Sequence, residues 1–149
     1  MMTREERAMS RYDQGKQVFD YYTQQSKHHL SDEIGDVAPE IQRYIVEFVF
    51  GEIYARPGLS PGEKTLTAIS ALATLGSCEA ELTANINNAL NVAVAPKKIL
   101  DTLIHLIPYA GLPRTLNAIR VAQRVFADRG ITLPRPPAST RSHGAPDGE

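Results

Sequence analysis

The sequence predicts an all-α protein. Every long segment repeats its apolar residues at three- and four-residue steps. None shows the strict alternation of a half-buried strand, and no Asn-Gly or Asp-Gly pair separates two apolar runs as a hairpin turn would. At 149 residues the chain is of single-domain size and can bury one continuous core.

Val18, Phe19 and Tyr22 recur at helical spacing, which predicts a helix from Gly15 to His29. A second helix has Pro39 near its start and Ile41, Tyr44, Ile45, Phe48 and Val49 along one side, and it stops at Arg56-Pro57-Gly58. The third has the strongest start signal: Ser60 as N-cap, Pro61 in the first turn and Glu63 at N3, with Gly76 closing a small-residue apolar run. Cys78 to Val94 forms the fourth. Pro96 initiates "PKKILDTLIHLIPYAG", and Pro113 initiates a last helix that Gly130 stops. The expectation is a bundle of about six helices over residues 1–130, without internal repeats. Residues 131–149, "ITLPRPPASTRSHGAPDGE", are nearly empty of large apolar side chains and read as a flexible tail that cannot offset the entropy of ordering.

Sixteen Lys and Arg against 17 Asp and Glu give a net charge of −1, and neither sign forms a run able to track a phosphate backbone or an anionic membrane. Nucleic acid and membrane are therefore not expected as partners. Apolar runs such as "IVEFVFGEIYA" are interrupted by charge well short of the roughly 20 residues of a membrane span. Cys78 is the only cysteine, so no intrachain disulfide forms, and "MMTREERAMSRYDQGK" lacks a secretory apolar stretch; a cytoplasmic protein is expected. Nothing matches a His-Glu-x-x-His pair, a Cys-x-x-Cys cluster or a glycine-rich phosphate cradle, so the expectation is a pocket without metal or cofactor. Ala, Thr and Ser in "TLTAISALATLG" let backbones approach closely and leave apolar area for a neighbouring helix or subunit, which predicts an oligomer.

The polar row Thr83, Asn85, Asn87, Asn88 and Asn91, threaded through Leu82, Ile86, Ala89 and Leu90, raises the question of an active-site wall. Around it, "YARPGLSPGEKTLTAISALATLG" and "NNALNVAVAPKKILDTLIHLIPYAGLPRTLNAIRVAQRVF" resemble the carboxymuconolactone decarboxylase family, relatives of the alkylhydroperoxidase D proteins. The likeness covers roughly residues 41–129, with Arg56-Pro57-Gly58-Leu59 and Tyr109-x-Gly111-x-Pro113-x-x-x-Asn117-Ala118 as landmarks. It implies an all-helical, alkylhydroperoxidase D-like subunit assembled as a homotrimer or homohexamer, with pockets lined by helices at or near subunit contacts.

Two chemistries come with the resemblance. The peroxidase branch uses Cys-x-x-Cys-x-x-x-His, two thiols one turn apart with a nearby base. That segment falls on Cys78, Glu81 and Asn85, so the resolving thiol is absent and a two-cysteine cycle cannot close within the subunit. The decarboxylase branch resembles a cofactor-free lyase whose lactone substrate accepts, in its own carbonyl, the electrons released with carbon dioxide. Its usual carboxyl and histidine positions fall on Thr65 and Asn85, neither of which titrates near neutral pH. This chain therefore reads as a divergent member.

Replacement groups are few. His28 and His29 sit at a polar helix end and His143 in the tail, which leaves His105, with Tyr109 four residues on along the same helical face. An imidazole of ordinary pKa near 6.5 is a competent acid or base, and a phenol can donate to an oxyanion. Apolar neighbours fit a satisfied core or interface histidine equally well. Asn85 and Asn88 share a face and can hold a carbonyl or carboxylate without supplying a proton, or simply pair with backbone. Arg56 can anchor a substrate carboxylate or fix its loop by an ion pair. Cys78 fits a small buried residue better than a nucleophile, and Glu63 fits a cap. Glu52 and Glu81 are replacement carboxyls if they turn inward. The expected catalytic set is His105, Tyr109 and Asn85, with Asn88, Arg56, Thr65 and Cys78 binding substrate. The expected function is a cofactor-free lyase or isomerase for a small carboxylated or lactone-like metabolite; the alternative is a non-catalytic ligand-binding or assembly protein that keeps the fold.

Overall fold

The computed structural model describes residues 9–24 and 34–134, and among them every regular element is helical. His28, His29 and His143, with the tail from 135 onward, lie outside the described residues. Helix α1 spans Arg11–Thr23. It begins earlier than Gly15 because the Ser10 hydroxyl accepts from Asp13 N at 3.1 Å and serves as N-cap. Helix α2, Pro39–Tyr44, runs directly into a π-helical stretch, π1, Ile45–Tyr54.

Two glycines decide how α1 meets π1. A methyl group on Gly15 would lie 2.0 Å from Val46 O, and one on Gly51 would lie 3.3 Å from Gly15 Cα, so the two backbones touch where side chains are missing. The contact closes over Phe19, Tyr22, Val46 and Phe50, with Phe19 edge-on to Phe50 at 5.1 Å. Arg11 and Glu52 pair at its exposed rim, which places Glu52 outward rather than toward a site.

The remaining helices follow the expected starts. Helix α3, Pro61–Leu75, carries both arms of the capping box, Ser60 Oγ accepting from Glu63 N and Glu63 Oε2 accepting from Ser60 N, and ends at Gly76 with φ 71°. Helix α4 is Glu79–Asn91 and α5 is Pro96–His105. The run expected to continue to Gly111 breaks at Leu106, because Pro108 has no N–H to give to Ile104 O. The chain restarts as the short α6, Ile107–Ala110, then turns at Gly111, φ 81°, into α7, Leu112–Asp128.

The main core is built from α3, α4, α5 and α7. Ile69, Ile86, Ile99 and Leu103 are fully buried, each stabilising the fold by about 1.5–3 kcal/mol relative to an exposed side chain. Packing continues past Gly130: Ile131 N donates to Phe126 O, and Ile131 and Leu133 lie against this core. Ile131 and Leu133 of the expected tail thus pack on the bundle. Among the described residues no helix is long and apolar enough to cross a membrane.

Candidate active site

A groove of about 380 Å³ opens between the end of π1, the turn after it and α3. Lys64, Ala68 and Ala71, at helical spacing, form one wall; Ile53, Leu59 and Tyr54 form much of the rest, with Arg56 on the turn. Small side chains on α3 make the room, and the lining is mostly apolar.

The turn is fixed by Lys64, whose Nζ donates to Tyr54 O at 2.6 Å and to Arg56 O at 2.5 Å. An ammonium on the last carbonyls of a helix is favoured by both hydrogen bonding and the helix dipole. Lys64 therefore does what an Arg56 ion pair was expected to do. The Arg56 side chain is exposed and lines the groove, and among the described residues it makes no ion pair. Neither Lys64 nor Tyr54 was singled out from the sequence. Both sit inside the landmark segment, but Lys64 acts on backbone carbonyls, which sequence does not reveal.

Tyr54 connects the groove to the polar row. Its Oη lies 3.5 Å from Asn85 Oδ1, while Asn85 Nδ2 donates to Glu81 O at 2.9 Å. The ring packs against Tyr22 at 4.9 Å and Phe50 at 4.8 Å. Burial pushes the Tyr54 phenol above its ordinary pKa of 10.0. Burial, then the neighbouring Tyr54 and Tyr21, push Tyr22 up to about 12. Both remain protonated at neutral pH.

The asparagine row divides into different roles. Asn85 serves Tyr54, and Asn88 is buried at 6 % exposure, so it is not placed to meet a ligand in the groove. Asn87 and Asn91 accept from Arg129 Nη1 at 3.3 and 3.0 Å, and Asn91 Nδ2 donates to Tyr22 O at 2.7 Å. Much of the row is therefore a joint between α4, α7 and α1.

The other expected residues are dispersed. Thr65 is fully buried, with Oγ1 donating to Gly62 O at 2.9 Å, so it faces the core rather than the groove. Cys78 is half-buried at the start of α4, its Sγ 3.2 Å from Leu72 O, beside a crevice of about 30 Å³. Partial burial and then the carboxylates of Glu81 and Glu79 push its thiol pKa up, against a thiolate role. His105 and Tyr109 do stay together, ring centroids 5.8 Å apart, but both are exposed, Tyr109 at 73 %, where α5 ends and α6 begins. The fold thus places His105 with Tyr109 and Asn85 with Tyr54, in two groups rather than the single expected set. Among the described residues no three His, Cys, Asp or Glu side chains are grouped to hold a metal ion.

The chain is 31 % identical over 122 residues to the 4-carboxymuconolactone decarboxylase of Acinetobacter baylyi, covering 81 % of this chain and 90 % of that protein. It is 27 % identical over 88 residues to a nitrosuccinic acid decarboxylase of Metarhizium robertsii, covering 58 % of this chain and 60 % of that protein. A model of the carboxymuconolactone decarboxylase family matches residues 39–124, from the start of α2 into α7 and across the whole groove. The chain belongs to the carboxymuconolactone decarboxylase family.

Proposed function

We propose that this protein is a cofactor-free lyase or isomerase acting on a small carboxylated or lactone-like metabolite bound in the groove. The observation that carries the reading is a mostly apolar groove lined in part by Arg56, which makes no ion pair among the described residues, in a chain related to two decarboxylases. Such a groove suits a compact acid: the apolar walls take the carbon skeleton and the planar fork takes the carboxylate. A lactone or keto acid supplies its own electron sink, so the protein's tasks are to orient the scissile bond and to stabilise the enolate. Thr65 and Asn85, at the positions where the family resemblance implies a carboxyl and a histidine, point to a reaction repurposed from that of the relatives.

We also propose that the subunit assembles with itself as a homotrimer or homohexamer. Tyr44 and Phe48 on α2–π1, and Ile104, Leu112 and Leu116 near the α6 corner, are exposed apolar side chains available for such contacts. Sedimentation should then give a mass of three or six chains. A second reading, a ligand-binding protein without catalysis, is favoured by one observation: none of the described groove-lining residues is a histidine or carboxylate. Ligand-observed NMR with small lactones, keto acids and muconate-like acids separates the two readings. Conversion of a ligand, with a raised KM in Arg56→Ala, supports the lyase; binding without conversion supports the second; no binding overturns the groove as a ligand site.

A further inference from the structure

We infer that Tyr54 is a catalytic residue of this site, donating its hydroxyl hydrogen to the substrate oxygen on which negative charge develops, with Asn85 as its positioning residue. The inference rests on the groove being the substrate site. Five features support it. Tyr54 lines the groove beside Arg56, so a small substrate whose carboxylate meets Arg56 lies against Tyr54. The ring is held between Tyr22 and Phe50, and Lys64 holds the Tyr54 carbonyl, so the hydroxyl is positioned before substrate arrives. At 3.5 Å, its contact with Asn85 is far longer than the usual O–H···O distance of about 2.7–2.8 Å, so a substrate oxygen can take the hydrogen over. Thr67, the other hydroxyl on the wall, already donates to Glu63 O at 2.7 Å. Burial keeps the phenol protonated, as a donor must be.

In the decarboxylation, the bond between the carboxylate carbon and its neighbouring carbon breaks and carbon dioxide leaves. The electron pair passes into the adjacent carbonyl as an enolate, whose oxygen receives the Tyr54 hydrogen bond. Water then supplies the proton that restores the C–H bond. Asn85 does not touch the substrate: with its amide nitrogen fixed on Glu81 O, it presents Oδ1 to the phenol and sets where the hydroxyl rests.

The test is calorimetric and needs no turnover. Paraconate, a lactone ring carrying a carboxylate, probes the groove; tetronate, a lactone whose enol is ionised at neutral pH, probes the enolate oxygen. In Tyr54→Phe, tetronate should bind about tenfold or more weakly, as when a charged acceptor loses one hydrogen bond, while paraconate binding should be little changed. Asn85→Ala should shift the same tetronate-to-paraconate ratio by a smaller factor. An unchanged ratio in Tyr54→Phe, equal loss of both ligands, or failure of tetronate to bind wild type overturns the role of Tyr54 alone. Failure of paraconate to bind wild type overturns the groove as substrate site and this inference with it.

Discussion

Arg129, just past the end of α7, donates from Nη1 to Asn91 Oδ1 on α4 at 3.0 Å, and Asn91 passes the connection on to Tyr22 O of α1 at 2.7 Å. Gln24 Nε2 closes the joint on Asn91 O at 3.2 Å. The Asn91 and Gln24 amides therefore tie α1, which otherwise packs chiefly on π1, to the main bundle. Asn91→Ala removes both bonds, strands the Tyr22 carbonyl and leaves Arg129 Nη1 only Asn87 Oδ1, so it should destabilise the fold by about 1–3 kcal/mol. Thr83→Ala loses only a bond to its own helix at Glu79 O and should change stability far less. Urea unfolding of the two variants measures the difference.

Gly15 has the least room of the described glycines. A Cβ there would meet the Val46 carbonyl oxygen at 2.0 Å and its carbon at 2.8 Å, backbone atoms that cannot rotate away. Gly15→Ala should push α1 off π1 and cost about 3 kcal/mol. Gly58→Ala, with nothing within 4 Å of the added methyl, is the matched control and should be near neutral. Thermal unfolding of the pair distinguishes steric exclusion from a general glycine effect.

The helical fold was legible because its signals are local. Pro39, Pro61 and Pro96 each start a helix, and Ser60 with Glu63 forms the expected box. The π winding of Ile45–Tyr54 was not legible, since its apolar spacing matches an ordinary helix. The site was less legible than the fold. The Tyr54–Asn85 and Lys64–Tyr54 contacts depend on how π1 lies against α3 and α4, and the former links residues 31 apart in the chain. Spacing kept His105 beside Tyr109 but could not tell an exposed helix end from a pocket wall. The asparagine row read as one wall because a helical wheel does not identify which neighbour each face meets.

Ala93 holds a left-handed conformation, φ 64°, in the exposed turn between α4 and α5. A side chain there costs about 1–2 kcal/mol relative to glycine, partly offset by the extra freedom glycine gives the unfolded chain. Ala93→Gly should therefore stabilise the protein by up to about 1 kcal/mol, visible as a higher Tm.

Glu63 couples the start of α3 to pH. The Ser60 backbone N–H, then its hydroxyl contact, hold the carboxylate below its ordinary pKa of 4.5. A depressed carboxylate contributes stability that is present above the unfolded value and lost as pH falls through the folded one. The loss should therefore begin near pH 4.5 and continue below it. Glu63→Gln should flatten that part of the stability profile, measured by urea unfolding across the acid range. Ser60→Ala should cost about 1 kcal/mol already at neutral pH.

Arg56 and His105 distinguish the groove from the exposed α5 end as the seat of activity. If the guanidinium anchors a carboxylate, Arg56→Ala removes an interaction made in both ground and transition states, raising KM about tenfold or more while kcat changes less. Arg56→Lys keeps the charge but loses the two-pronged fork, so it should recover only part of that binding. His105→Ala should leave both constants near wild type, because the ring lies exposed beside Tyr109 and does not line the groove. Cys78→Ser should also be nearly silent, its thiol being turned onto Leu72 O. Loss of turnover in His105→Ala with unchanged ligand affinity would instead move proton transfer to the imidazole and require a neighbouring subunit to bring that surface to the groove. Steady-state kinetics on the converted ligand, paired with binding constants for each variant, decides between these outcomes.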